Sequence, residues 1–357
     1  LLRPRFAAGG ELPFDPGALL KRRLGQYSNY GNAHPEYHKY YTFGGYFSLM
    51  AIIKDLTVKA DETILLPSYL CPTIIDAVKA CGCQYAFYQL KPGLIPDQES
   101  ILARLTPDVR AVLYIDHFGF PSAISRNDAD MIPIRRRAVI IQDTVQAWVS
   151  EKHPLYGDYC FNSVRKYTPY EGSVILAKQP MSFAVSGEKT LRHALTKRLA
   201  QFIRHCYLNY GVFTEEMFLK LIERSHASYH QDQISKDLPL NHYLLDRFDF
   251  ISAGRRRKRV YDALKQSLDL EEIVQHPEPS DSIPLGLAIR INDRDRIRKE
   301  LAAKGVFCPI HWKLSDEIDR DEFSYSWEVS SSELTLPLSV DLQYLDRYIQ
   351  ILREVIK

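Results

Sequence analysis

Between about Gly45 and Leu176 the chain alternates short, continuously apolar runs with stretches of helical periodicity, which predicts strands separated by helices. Strands are expected at residues 63–66, 85–88, 111–115, 138–141, 159–162 and 173–177, with helices at 46–56, 72–81 and 98–105. The runs Ala111-Val-Leu-Tyr-Ile and Ala138-Val-Ile-Ile have no polar alternation, the pattern of strands covered on both faces. An α/β domain with a large, mostly parallel sheet between helical layers follows. Beyond Pro180 the texture becomes charged, aromatic-rich and helical, with no strand until the segment 284–291. A long helix over 246–264 leads into helix 294–304, strand 306–311 and a last helix over 342–356. The expected division is therefore 1–245, an N-terminal arm with the large domain, and 246–357, a smaller α+β domain.

A length of 357 residues suits two such units sharing a cleft. With 45% apolar and 25% charged residues and a formal net charge of +2, the chain has no global field to attract nucleic acid or membrane, and neither is expected as a partner. The six cysteines show no CxxC spacing, so no metal site or secreted disulfide framework is expected, and a cytoplasmic location fits best. No stretch has the apolar length of a membrane span, and the first ten residues lack the apolar core of a signal peptide. The sequence begins without Met.

In open α/β sheets, ligands sit beyond the carboxyl ends of the strands. The residues there are Pro67-Ser-Tyr69, Asp116-His117, Asp143-Thr-Val-Gln146, and Ser163 with Lys166. A lysine just behind a core strand is desolvated enough to lose its proton yet reachable by a carbonyl, as covalent attachment of an aldehyde cofactor requires. The alternative is a lysine extending to solvent from a strand end. Ser163, three residues earlier, can hydrogen-bond a phosphate oxygen or cap the local backbone, and Arg165 adds a cation beside it. Asp143 follows the most apolar strand and needs a cationic partner such as a protonated pyridine nitrogen, or else caps the next helix. Gln146, one turn on, is placed to reach the same ring. Gly44 and Gly45 precede a helix whose backbone N–H groups can hold a phosphate, although such a pair also makes an ordinary turn. Tyr69, with Cys71, is placed against a planar ring or in the core. His117 and His311 are candidate substrate-side groups or structural hydrogen-bond partners. The cluster Arg255-Arg-Arg-Lys-Arg259 reads as a solvated helix face or a dimer contact.

Taken in order, these segments resemble the DegT/DnrJ/EryC1/StrS family of sugar aminotransferases, from roughly Thr42 to the C-terminus. Phe43-Gly-Gly45 is similar to the family's Ser-Gly-Thr turn, Leu66-Pro-Ser-Tyr69 to its Pro-Ser segment, and His117-Phe-Gly-Phe120 to its His-x-x-Gly. Gln142-Asp-Thr-Val-Gln146 resembles Glu-Asp-Ala-Ala-Gln, and the segment from Gly157 to Lys166 resembles the strand leading to the family's Schiff-base lysine. Gly305-Val-Phe-Cys-Pro-Ile-His311-Trp312 and Glu333-Leu-Thr-Leu-Pro337 match its C-terminal motifs. The chain departs from the family in having Ser163 three rather than five residues before the lysine, Tyr167-Thr-Pro-Tyr-Glu-Gly172 after it, and Phe43 in the first turn.

The resemblance implies a fold type I transferase that binds pyridoxal 5′-phosphate (PLP). It assigns the Schiff base to Lys166, the pyridine nitrogen to Asp143 and further cofactor contacts to Gly44, Gly45, Tyr69, Gln146 and Ser163, with His117 and His311 on the substrate side. It also implies an amino donor, a keto acceptor (a keto-sugar or another small biosynthetic intermediate) and a homodimer with shared active sites; Asn241 is one candidate for the residue lent by a neighbouring subunit. Two other readings stay open: a different PLP reaction (elimination, decarboxylation or carbon–carbon bond formation), and a catalytically idle partner protein.

Overall fold

A computed structural model describes residues 5–122, 128–147, 150, 152–185, 190–227, 229, 233–268, 270, 273–274 and 282–356. A seven-stranded sheet carries the larger unit: β1 (His38–Thr42), β2 (Thr63–Pro67), β3 (Gln84–Tyr88), β4 (Val109–Ile115), β5 (Val139–Asp143), β6 (Tyr159–Phe161) and β7 (Ser173–Ala177). Their order across the sheet is β1-β7-β6-β5-β4-β2-β3. From β3 to β6 all neighbours are parallel, while β7 pairs antiparallel with both β6 and β1. Strands β2 and β7 are buried along their whole length, in keeping with their unbroken apolar sequences.

Helices α1 (Gly45–Asp55), α2 (Pro72–Ala80) and α3 (Gln98–Arg104) follow β1, β2 and β3. Pro72 opens α2 at a position where its missing N–H costs nothing, and the Asp97 carboxylate caps α3 by accepting from Glu99 N. Register brings the functional strand ends together: Ile115 lies opposite Asp143, and Asp143 opposite Phe161. The residues that follow β4, β5 and β6 therefore share one rim.

Two strands differ from the sequence expectation for physical reasons. The edge strand β1 reads His-Lys-Tyr-Tyr-Thr and is only partly buried, so it carries no aliphatic signal. The run expected as a strand over 306–311 pairs only at Val306–Phe307, before Pro309 removes a donor. The strand Glu333–Pro337 pairs antiparallel with Gly286–Arg290. The N-terminal arm joins this end of the chain, because Ala8 and Gly9 pair in parallel with Val306 and Phe307. Gly9 has φ +77°, and a Cβ there would lie 2.4 Å from the Phe307 carbonyl oxygen, so only glycine permits this approach.

After the sheet come α4 (Thr190–Tyr210) and α5 (Glu215–His226), a hairpin around Ala200, Ile203 and Phe218. Then follow α6 (Phe250–Ser267), α7 (Arg294–Ala303) and α8 (Leu345–Val355). Among the described residues no helix is long and apolar enough to cross a membrane, and no group of three His, Cys, Asp or Glu side chains is arranged to hold a metal.

Candidate active site

Strand β6 ends at Phe161, and a single 3₁₀ turn, Val164–Lys166, carries Lys166 to the rim. The turn is fixed by its backbone, with Val164 N donating to Gly172 O at 3.0 Å and Tyr167 N to Val164 O at 3.0 Å. Lys166 is half-buried and lines two adjoining cavities. Burial lowers the pKa of its amine, and the charges of Arg165 and Lys197 push the same way against the opposing pull of Cys71 and Asp143. The shift is toward the neutral, nucleophilic amine.

The inner cavity is also lined by Gly45, Cys71, Asp143, Gln146, Ser163, Arg165 and Trp312. Asp143 is 4% exposed, and one of its oxygens accepts from Val145 N at 2.8 Å. It has no ion pair among the described residues, and burial pushes its carboxyl up to about 7. Nearby donors and acceptors also lack partners among the described residues: Ser163 Oγ, Gln146 Nε2 and Arg165 Nε are all buried without one. The other end of the Gln146 amide is fixed, its Oε1 accepting from Phe118 N at 2.7 Å. A buried carboxylate without an ion pair among the described residues and three orphaned polar atoms in the same lining as Lys166 cost free energy unless a polar group satisfies them.

The start of α1 closes this pocket. Gly44 is the N-cap of the helix and makes no side-chain cap hydrogen bond. Its φ of 179° is ordinary extended backbone, so flexibility is not why glycine stands there. Space is the reason, since a Cβ would meet Tyr229 Oη at 2.2 Å. The Tyr229 ring in turn lies 4.9 Å from the Arg165 guanidinium and holds that cation beside Ser163. At Gly45 a Cβ would fall 2.9 Å from Val145 and 3.4 Å from Ser163, so the second glycine lets α1 approach the strand ends.

The structure thus gathers Gly45, Asp143, Gln146, Ser163 and Lys166 around one pocket, with Gly44 behind Gly45. Tyr69 and His117 lie outside its lining. Tyr69 is fully buried, with its ring 5.5 Å from that of Trp312 and 5.8 Å from that of His117. Cys71, Thr73 and Trp312 line the pocket instead. The His117 ring donates from Nε2 to the Tyr69 carbonyl at 3.0 Å, and burial lowers its pKa to about 4. His311 lines the outer cavity with Lys166, held by Thr335 Oγ1 at 2.9 Å. Burial, then the Lys166 charge, pushes its pKa well below the usual imidazole value. Asn241 is held within its own chain, Oδ1 accepting from Arg198 at 2.9 Å.

The outer cavity, of about 580 Å³, contains residues the sequence reading missed: Glu11, Lys197, Arg257 and Arg298. Arg257 corrects the reading of residues 255–259 as a solvated face or dimer contact. Arg255, Arg256 and Arg259 are exposed, but Arg257 is 8% exposed and donates from Nε to Pro284 O at 3.3 Å. Helical spacing within the cluster was the available signal, since Arg257 shares a face with Val260 and Leu264.

No protein-family model and no curated protein matches the sequence. Solved structures do match in fold. A DegT/DnrJ/EryC1/StrS aminotransferase from Brucella abortus superposes with a TM-score of 0.63 at 15% identity, over 98% of this chain and 92% of that one. NtdA from Bacillus subtilis, with bound cofactor PMP, gives 0.62 at 17% identity, over 99% and 78%. The sugar aminotransferase CalS13 from Micromonospora echinospora gives 0.62 at 13% identity, over 98% of each chain. At these identities the likeness is one of fold, and the fold is the type I transferase architecture expected from the sequence.

Proposed function

We propose that the chain is a PLP-dependent aminotransferase that moves an amino group from a small amine donor to a keto acceptor, with Lys166 as the residue that binds the cofactor aldehyde. The observation that carries this reading is the inner pocket. There a lysine biased toward its neutral form shares the walls with a buried, unpaired Asp143 and with the orphaned Ser163 Oγ and Gln146 Nε2. When bound, PLP supplies an electron sink for the bond-breaking step at the substrate carbon.

The residues divide the remaining work. The Asp143 carboxylate would pair with a protonated ring nitrogen, a cation that would lower its raised pKa and keep it ionised. Ser163 Oγ, Arg165 and the N-terminus of α1 hold the phosphate. Gln146 Nε2 donates to the ring and orients it. Lys166 Nζ would hold the cofactor aldehyde and would move the proton at the substrate carbon as base and then acid.

The test is a single turnover of the loaded protein with amino donors and keto acids. Transamination must leave the cofactor in its amine form, and an eliminated or decarboxylated product without that form contradicts it. Arg165→Ala should weaken cofactor affinity by roughly 10- to 150-fold, the weight of a charge-assisted hydrogen bond. Equilibrium titration of the cofactor-free protein measures it, and unchanged affinity would remove Arg165 from the phosphate site.

A homodimer, a cytoplasmic location and the division at 245/246 belong to the same proposal. Leu191, Leu195 and Leu199 are each more than half exposed and fall on one face of α4, an apolar stripe suited to a second copy. Sedimentation should give twice the mass of 41.2 kDa, and a monomer at micromolar concentration would count against the dimer. Six cysteines without a disulfide support a reducing compartment, which cell fractionation checks.

A further inference from the structure

A further cavity, of about 310 Å³, adjoins the one that Lys166 lines. Gly9, Leu12, Arg257, Leu338 and Ser339 belong to the walls of both, so the two spaces meet along the N-terminal arm. Tyr167, the residue after the lysine, also lines this annex, and consecutive Cα atoms lie only about 3.8 Å apart. The Tyr167 hydroxyl donates to the Gln146 carbonyl, so its ring reaches from the annex to a residue of the inner pocket.

The annex differs in chemistry from the cationic cavity it joins. Leu12, Pro13, Tyr167, Leu208, Phe248 and Val340 give it an apolar wall. Most of its charged side chains are engaged or face solvent: Arg257 is held by the Pro284 and Leu285 carbonyls, Asp341 accepts from Gln343 N at 3.2 Å, and Arg256 is exposed. Arg204, on α4, is the exception. It is 5% exposed, donates from Nη2 to Gly9 O at 3.1 Å and stands 5.3 Å from the centre of the Phe218 ring, which fixes the guanidinium in place. Its Nε is buried without a partner, the one such side-chain atom among the described residues of the annex lining. A buried N–H without an acceptor costs free energy, and one N–H takes one oxygen. An apolar space with a single unmatched donor suits a hydrocarbon chain that ends in a carbonyl.

We infer that the annex receives an acyl group carried by the substrate, with the hydrocarbon against Leu12, Phe248 and Val340 and the carbonyl oxygen accepting from Arg204 Nε. This rests on the aminotransferase reading and gives the substrate an apolar end remote from the carbon presented to Lys166. The annex has no part in the bond-breaking step, so it acts on binding and selects by acyl length.

The experiment is calorimetric titration of butanamide, pentanamide and hexanamide into the PLP-loaded protein. Three forms are compared: wild type, Ala253→Trp, which fills the annex from its half-buried position on α6, and Arg204→Met, which removes the donor. Each added methylene should tighten binding to wild type by about fourfold. Ala253→Trp should bind hexanamide at least about tenfold more weakly, whereas Arg204→Met should weaken all three amides by roughly the same factor and keep the dependence on length. Two amines carry the test to the substrate. In wild type, N-hexanoyl-1,4-diaminobutane should convert the cofactor to its amine form with a lower KM than N-acetyl-1,4-diaminobutane and a similar kcat, and in Ala253→Trp that advantage should vanish. A thermal melt reports any folding defect of the variants, and the dependence on chain length in wild type needs no variant. Affinity that ignores chain length, equal hexanamide binding by Ala253→Trp, or a hexanoyl amine that reacts no better than the acetyl amine overturns the inference. Covalent cofactor attachment at Lys166 is measured on the same samples. If it fails, the aminotransferase reading falls; if it holds while acyl length has no effect, only the acyl site falls.

Discussion

Lys166→Ala should lose roughly 10²–10⁴-fold in turnover, the usual weight of a positioned acid–base group, with little change in stability. The two halves of this expectation come from different features. The 3₁₀ turn is held by backbone bonds such as Val164 N to Gly172 O, which the substitution leaves in place. The side chain makes no ion pair among the described residues, and burial and the neighbouring Arg165 and Lys197 charges disfavour its charged form. Removing it therefore costs the fold little and costs the chemistry a proton carrier. Steady-state kinetics at saturating cofactor and a thermal melt measure both parts, and added small primary amines should restore part of the rate. Activity within a few-fold of wild type would remove Lys166 from its role.

Asp143→Asn should lower turnover by roughly 150- to 5,000-fold, since breaking one side of a buried ion pair costs about 3–5 kcal/mol. The same variant has a signature independent of activity. In the cofactor-free protein the Asp143 carboxyl is raised by burial to about 7. The folded state then keeps a proton that the unfolded chain has released, so stability falls as pH rises from the ordinary carboxylate range through about 7. Asparagine does not titrate, and this component of the pH dependence should vanish. Bound cofactor should also remove it, by supplying the cation that the carboxylate lacks. Urea melts of wild type and variant between pH 4 and 8, with and without cofactor, measure the difference, and identical pH profiles in all four would contradict the role assigned to Asp143.

Much of this architecture is legible in the chain because buried parallel strands are written as unbroken apolar runs. Val139–Asp143 and Ser173–Ala177 follow from that alone, and the polar residues just past them locate the rim. Lys166, Asp143, Gln146 and Ser163 are visible for the same reason: each stands at the end of a strand that the pattern locates or a few residues beyond it. Less legible were elements whose character is set by distant partners. His38–Thr42 is a strand because β7 offers it an edge. Ala8–Gly9 joins a sheet with residues about 300 positions away, which no local periodicity signals. Tyr69 followed the strand rule but turned toward Trp312 and His117, because a strand-end position does not say which way the ring points. Three of the outer cavity's cations lie on three separate helices, α4, α6 and α7, and only their packing brings Lys197, Arg257 and Arg298 to one space.

Lys197 and Lys299 also make the most direct test a demanding one, since both line the same cavity as Lys166. Borohydride reduction of the PLP-loaded protein, followed by digestion and mass spectrometry, fixes the cofactor to whichever lysine holds it. A single pyridoxyl label is expected, on Lys166, and absent from Lys166→Ala. A label on Lys197 in the wild-type protein, or no label on any lysine, would contradict it.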